Sequence, residues 1–147
     1  MKITEHFTLE ELTSTQVRGV DNLPNLTQLK ELEITATWME AVRAWLGHPI
    51  HINSGFRSPE VNKAVGGSKN SAHCKGWAVD FICPAFGSPA QVAAAILDSD
   101  ISFDQLIYEG TWVHISFDPQ MRRQILTAVF EKGKPTKYIS GLQLELS

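Results

Sequence analysis

The longest regular pattern of apolar positions lies between residues 26 and 46. Apolar side chains recur there every three or four residues, which places them on one face of an amphipathic helix. These positions are Leu26, Leu29, Leu32, Ala36, Met39, Val42 and Leu46. Gly47 and Pro49 follow the pattern, as is common after a helix C-terminus. The sequence therefore predicts one long helix that packs against the core.

Three shorter helices are predicted from residues that cap helix N-termini. Thr8 and Glu11 have the spacing of a capping box. Ser58-Pro59 and Ser88-Pro89 each combine a capping hydroxyl with a proline that favours the first helical turn. The first of these helices lies within residues 1–24, which we interpret as an N-terminal docking arm.

Short apolar or alternating segments predict strands at residues 49–54, 77–82, 103–109 and 112–117. The last two are separated only by Gly110 and Thr111, which predicts a tight hairpin. Residues 124–130 fit either a helix or a strand, and the residues after them favour a final hairpin. We therefore predict an α+β fold with a central antiparallel sheet flanked by helices.

Composition and charge narrow the classes of function. The chain has 147 residues, of which 43% are hydrophobic and 20% charged, so we expect a single domain over residues 1–147. The net charge is -3 and the 13 Lys and Arg residues are scattered, which gives no electrostatic reason to bind nucleic acid. Two cysteines, Cys74 and Cys83, are too few for a disulfide framework.

The first residues and the hydropathy of the chain indicate where in the cell the protein is expected. Residues 1–6 run directly into a polar segment and do not resemble a signal peptide. No apolar stretch approaches the length of a membrane span. We therefore expect synthesis in the cytoplasm, no membrane span and a monomer.

Candidate metal ligands lie in and beside two of the predicted strands. Alternate side chains of a strand share a face, so Asp80 and His114 face one cleft if their strands are neighbours. His73 can join them from the loop before Gly76, whereas Cys74 points the other way on an extended chain. Two imidazoles and a carboxylate suit zinc and leave its fourth position open, as in catalytic sites. Each residue alone is more typical of a buried polar group with a structural partner, and only the three together indicate a metal site.

A longer motif includes these residues. Residues 71–80 read Ser-x-His-x-x-Gly-x-Ala-x-Asp, and a Trp-x-His strand follows at residues 112–114. This combination resembles the zinc D-Ala-D-Ala carboxypeptidases and the related phage endolysin peptidases that cut the L-Ala-D-Glu bond, whose fold the Hedgehog signalling domain shares. The resemblance extends to residues 6–12, 54–58 and 105–109. It implies a Hedgehog/DD-peptidase-like fold in which His73, Asp80 and His114 bind Zn2+.

The resemblance also implies roles for residues around the metal. Glu109 corresponds to the general base that takes a proton from zinc-bound water, and Arg57 to an arginine that contacts the substrate or polarises the scissile carbonyl. Ser71 corresponds to a substrate-contacting serine, and Trp112 is a candidate substrate-binding residue of the cleft. The residues alone leave open a solvated turn glutamate for Glu109 and a surface ion pair for Arg57. Trp112, like Trp77, is equally suited to a core.

These inferences lead to a hypothesis of function. We expect a zinc metallopeptidase that hydrolyses peptide bonds in peptidoglycan stem peptides with zinc-activated water as the nucleophile. The sequence leaves open a D-Ala-D-Ala carboxypeptidase or an L-Ala-D-Glu endopeptidase, and also whether the protein reaches the cell wall by release during phage lysis. The alternative is a non-catalytic zinc-binding domain of the same fold that acts as a binding or virion structural module.

Overall fold

A six-stranded sheet with helices packed on one of its faces forms the fold in the computed structural model, which describes residues 1–143. The elements in chain order are α1 (Leu9–Leu12), α2 (Leu26–Leu46), β1 (His51–Ser54), α3 (Pro59–Ala64), a 3₁₀ turn (Ala72–Lys75), β2 (Ala78–Ile82), α4 (Pro89–Leu97), β3 (Gln105–Tyr108), β4 (Val113–Ser116), β5 (Gln124–Val129) and β6 (Lys137–Ser140). The end of the predicted 1–147 domain, residues 144–147, lies outside the described residues.

Capping residues and apolar periodicity set the boundaries of the helices. Thr8 and Glu11 form the predicted capping box of α1, in which Glu11 Oε1 accepts a hydrogen bond from Thr8 N at 2.7 Å. α2 begins after Asn25 and ends at Gly47, whose φ of 72° is the left-handed conformation that favours glycine. α3 and α4 begin at the prolines after their capping serines, as predicted. None of the described helices is both long and apolar enough to cross a membrane.

The sheet has the strand order β1-β2-β4-β3-β5-β6, and β3 and β5 are its parallel pair. The other pairings are antiparallel. The predicted α+β class is confirmed, but the sheet is mixed where an antiparallel sheet was expected. The path of the chain explains the parallel pair. β4 runs antiparallel to β3, so β4 finishes at the end of the sheet at which β3 begins. The short connection at residues 117–123 then starts β5 at that same end, on the far side of β3.

The segment that fitted either a helix or a strand is strand β5. Its register pairs Ala128 with Tyr138 of β6, so the predicted final hairpin is confirmed. The connection before it is held by two arginines. Arg122 Nη2 lies 2.8 Å from Oδ2 of the buried Asp104, and Arg123 Nη2 donates to Ser99 O at 2.7 Å. These contacts fix where β5 begins.

The two faces of the sheet have different surroundings. Val113 of β4 and Tyr108 of β3 pair in register, and both are buried in the core that contains residues of α2 and α4. Their neighbours His114 and Ile107 also pair, and the pleat turns them to the opposite face. Asp80 of β2 joins His114 on that face. One face therefore makes the core and the other carries the candidate ligands.

The predicted N-terminal docking arm packs on the main core. Phe7 and Leu12 belong to the cluster of buried hydrophobic residues. Asn22 Nδ2 donates to Phe56 O at 3.0 Å, and Asn22 Oδ1 accepts from Ser58 N at 2.7 Å. These bonds tie the segment to the connection between β1 and α3. A docking function for it stays a prediction.

Candidate metal centre

Three side chains converge on the face shared by β2 and β4. Asp80 and His114 are direct partners in the register of these antiparallel strands, so their side chains lie next to each other. His73 reaches them from the 3₁₀ turn that precedes β2. The structure therefore brings together the three residues that the sequence predicted as ligands.

The ligand atoms have the spacing that a zinc site requires. Asp80 Oδ1 lies 3.2 Å from His73 Nε2 and 2.9 Å from His114 Nδ1. One ligand atom from each residue can be chosen so that all three lie within 4.8 Å of one another. Zinc bonds of about 2.0–2.2 Å at tetrahedral angles place neighbouring ligand atoms roughly 3.3 Å apart. The residues present therefore fit a zinc ion with three protein ligands.

A backbone carbonyl fixes the orientation of the His73 ring. His73 is 1% exposed, and its Nδ1 lies 2.7 Å from Gly55 O. Because a carbonyl oxygen only accepts hydrogen bonds, Nδ1 carries the proton and Nε2 keeps its lone pair. An outer hydrogen bond of this kind selects the tautomer that can bind a metal and holds the ring in place.

The candidate ligands lie in a cleft with a volume of about 590 Å³. Glu109 and Trp112, which flank the turn between β3 and β4, line the same cleft. Trp112 Nε1 donates a hydrogen bond to Glu109 Oε2 at 3.2 Å. Glu109 is thus a partly buried residue of the cleft rather than a solvated turn residue. Trp77 also lines the cleft, with its Nε1 held by Glu31 Oε2 at 3.1 Å.

A match to a known family gives the class of this site. The family model described as peptidase M15 matches residues 5–116, which contain all three candidate ligands and Glu109. The chain belongs to the peptidase M15 family. The resemblance inferred from the motifs is thereby confirmed, and membership implies a zinc peptidase. No curated protein matches the chain.

The pKa values of Asp80 and His73 in this M15 site are shifted toward the protonation states that metal binding needs. Burial alone would raise the pKa of Asp80, but its electrostatic interactions with His73 and His114 hold it well below its usual range. Burial lowers the pKa of His73. An ionised carboxylate and neutral imidazoles are the forms that bind a metal. Burial also raises the pKa of the Cys74 thiol, which disfavours the thiolate ligand form.

The pKa of the Glu109 carboxyl group is raised, whereas that of the Asp80 carboxyl group is lowered. Burial raises its pKa, and the negative charge of Asp80 raises it further, although the hydrogen bond from Trp112 acts against both. A general base works best when its pKa lies near the operating pH. The environment of Glu109 in this M15 peptidase therefore suits a residue that takes up and releases a proton.

We expect Glu109→Gln to stabilise the metal-free protein at neutral pH. Folding raises the pKa of Glu109, so the folded state favours the protonated carboxyl group. Glu109 therefore contributes most to the free energy of unfolding below the ordinary glutamate pKa of about 4.3. This contribution is lost as the pH rises through the raised pKa. The neutral amide removes this penalty. Urea denaturation should give the variant a larger free energy of unfolding than wild type at pH 7, with the difference shrinking toward pH 4.

Glu33→Gln is the matched control for that measurement, because Glu33 is exposed on α2. It should leave the free energy of unfolding unchanged at pH 7. A Glu109→Gln protein less stable than wild type at pH 7 would show that the ionised carboxylate is favourable in the fold.

Arg57 and Ser71, the other predicted site residues, also line the cleft. Arg57 Nε is buried and has no hydrogen-bond partner among the residues that the structure describes. Ser71 Oγ accepts a hydrogen bond from His73 N at 3.2 Å and so caps the 3₁₀ turn that carries the ligand. The hydroxyl proton of Ser71 is left for another partner.

Gly55 is a functional position that sequence reasoning missed. A Cβ atom at Gly55 would lie 2.4 Å from Leu12 O, so only glycine permits this approach of the backbone. Gly55 O also holds His73 Nδ1. The available signal was a glycine at the end of a predicted strand, which is typical of close backbone packing. A carbonyl that orients a ligand has no signature of its own in the sequence.

Gly55→Ala should weaken zinc binding by about 10–100-fold, the usual cost of disturbing an outer hydrogen bond to a ligand. The added methyl group must push β1 away from Leu12 and shift the carbonyl that holds His73. Competition with a chromophoric chelator measures the zinc affinity. Gly19→Ala is the control, because Gly19 has a φ of 76° but open space around it. It should lower the Tm through backbone strain without changing zinc affinity, whereas unchanged affinity in Gly55→Ala would refute the role of the carbonyl.

Proposed function

We propose that this M15 peptidase hydrolyses peptide bonds in peptidoglycan stem peptides with a zinc ion held by His73, Asp80 and His114. The observation that carries the proposal is the convergence of two imidazole nitrogens and a carboxylate oxygen in a cleft that Glu109 also lines. The choice of stem peptides is supported by the resemblance to D-Ala-D-Ala carboxypeptidases and endolysin peptidases.

The metal and the residues that hold it contribute to the proposed hydrolysis in different ways. A zinc ion held there would act as a Lewis acid, which polarises a carbonyl group and lowers the pKa of water to about 7. The ionised Asp80 offsets part of the positive charge. His73, anchored on Gly55 O, and His114, fixed in the middle of the sheet, keep the ligand atoms in place. Such preorganisation limits the reorganisation that the site needs during reaction.

Glu109 moves the proton in this proposal. Its Oε2 accepts the hydrogen bond from Trp112 Nε1, which leaves Oε1 to take a proton from the attacking water. The same carboxyl group then delivers the proton to the amine that leaves when the peptide bond breaks. The raised pKa of Glu109 supports the uptake of the proton, because a carboxylate with a raised pKa is a stronger base than an exposed glutamate.

Arg57 and Ser71 bind the substrate in this proposal. A buried guanidinium nitrogen without a partner among the described residues suits a group that meets an oxygen of the substrate. Arg57 would donate to the scissile carbonyl or to a substrate carboxylate, and Ser71 would donate its hydroxyl proton. Trp112 offers an indole surface against which a peptide can pack.

The walls of the cleft favour a substrate that continues on both sides of the broken bond. They include residues 65–68, close to the turn that carries His73, and also Leu126 of β5 and Tyr138 of β6. A cleft of about 590 Å³ holds several residues of a stem peptide. This extent supports cleavage within the stem, as by an L-Ala-D-Glu endopeptidase, over removal of a terminal D-Ala.

The proposal is tested by incubating zinc-loaded protein with purified peptidoglycan and identifying the new termini by mass spectrometry. New amino and carboxyl termini inside the stem peptide are the expected result. Loss of only the terminal D-Ala would replace the endopeptidase with a carboxypeptidase. The control is the same protein treated with a chelator and then restored with zinc, which should lose and regain cleavage.

The remaining outcome is a protein that holds one zinc ion per chain and leaves every stem-peptide bond intact. That result would overturn the peptidoglycan proposal and favour the alternative of a zinc-binding module without catalysis.

A further inference from the structure

The hairpin of β5 and β6 contributes to the cleft although it lies beyond residues 5–116, the part of the chain that matches the family. Tyr138 is 53% exposed and lines the same cleft as Glu109 and the candidate metal ligands.

The register of the sheet aligns Tyr138 with Glu109. Tyr108 of β3 pairs with Thr127 of β5, so the next residues, Glu109 and Ala128, lie side by side. Ala128 in turn pairs with Tyr138. Glu109 and Tyr138 thus lie in one row on the same face, roughly 10 Å apart in the backbone with one strand between them. The residue between them is an alanine, whose small side chain leaves room for the two longer ones to meet above it.

Two further observations support this approach. The turn after Glu109 packs against the end of β5, since a Cβ atom at Gly110 would lie 3.6 Å from Phe130 Cε2. Burial raises the pKa of Tyr138, and the negative charges of Glu109 and Asp80 raise it further. The phenol therefore stays protonated near neutral pH and is available as a hydrogen-bond donor.

We propose that Tyr138 is a positioning residue that donates its phenol proton in a hydrogen bond to the Glu109 carboxylate. Trp112 Nε1 holds Glu109 from the β4 side at 3.2 Å, and Tyr138 holds it from the β6 side. Two donors on opposite sides fix the carboxylate over the metal site, where it must meet the attacking water. This role rests on the proposed peptidase function, in which Glu109 is the base.

Tyr138→Phe removes the hydroxyl group and keeps the ring. With a soluble stem peptide as substrate, kcat should fall about tenfold, the equivalent of one hydrogen bond, with KM within about twofold of wild type. Zinc content should stay at one ion per chain. Tyr108→Phe is the matched control, because Tyr108 points to the core face of the neighbouring strand β3 and should keep its kcat. Unchanged kcat in Tyr138→Phe would overturn the proposal.

A second measurement does not depend on activity. The protein is labelled with 3-fluorotyrosine, and its two tyrosines are followed by ¹⁹F NMR during a pH titration, with Tyr108→Phe to assign the signals. Glu109→Gln should lower the pKa of Tyr138 and leave that of Tyr108 unchanged. An unchanged Tyr138 titration would overturn the proposal even if the enzyme is active. An inactive wild-type protein with the expected NMR shift would instead overturn the peptidase proposal and keep the contact between the two side chains.

Discussion

Glu109→Gln is expected to lower kcat by about 10²–10⁴-fold, the range for loss of a positioned general base. The amide is nearly the same size as the carboxylate and can still accept the hydrogen bond from Trp112, but it cannot take up a proton from water. Zinc content should stay at one ion per chain, because Glu109 is not among the three candidate ligands. Steady-state cleavage of a soluble stem peptide, with zinc measured by elemental analysis, tests both statements.

The control is again Glu33→Gln, which makes the same chemical change on the exposed face of α2 and should keep full activity. If Glu109→Gln retained the wild-type kcat, Glu109 would have no place in the proton transfer. The stability and activity measurements together should show a variant that is more stable as the metal-free protein and almost inactive as the zinc protein. A catalytic group that costs stability is common in enzyme sites.

His73→Ala is expected to abolish cleavage and to reduce zinc affinity by more than the 10–100-fold typical of an outer-shell change. His73 supplies one of the candidate ligand atoms, and an alanine side chain has no atom that can bind zinc. Zinc binding to the folded state should raise the Tm of the wild-type protein, since a ligand that binds only the folded state stabilises it. The variant should show no such rise.

His51→Ala provides the matched control for His73→Ala. His51 is exposed at the start of β1 and lies outside the group of candidate ligands. Zinc content, the zinc-dependent rise in Tm and activity should all match wild type. Full zinc occupancy in His73→Ala, with the fold confirmed by circular dichroism, would mean that the ion binds elsewhere.

The parts of this fold that the sequence predicted are those encoded by local patterns. α2 follows a regular apolar stripe, and the shorter helices begin at residues that cap their own backbone. The strand face on which each of Asp80 and His114 lies could be predicted because side chains alternate along a strand. Such patterns need only a few consecutive residues, so they are visible without the tertiary structure.

The remaining features depend on which elements meet in space. The parallel pairing of β3 with β5 follows from the path of a short connection, which strand alternation does not encode. The anchor of His73 is a backbone carbonyl of Gly55, a group present in every residue. The alignment of Tyr138 with Glu109 depends on Ala128, which lies between them in the register of β3, β5 and β6. A single sequence carries no direct record of these long-range contacts.

The ligand set of the metal is tested most directly by X-ray absorption at the zinc edge on the purified protein loaded with one zinc ion per chain. We predict a first shell made only of nitrogen and oxygen atoms at about 2.0–2.2 Å, with the outer-shell scattering of two imidazole rings. This is the shell that His73, Asp80, His114 and one water molecule would form. A sulfur atom at about 2.3 Å, or the signal of fewer than two imidazoles, would contradict this assignment of the site.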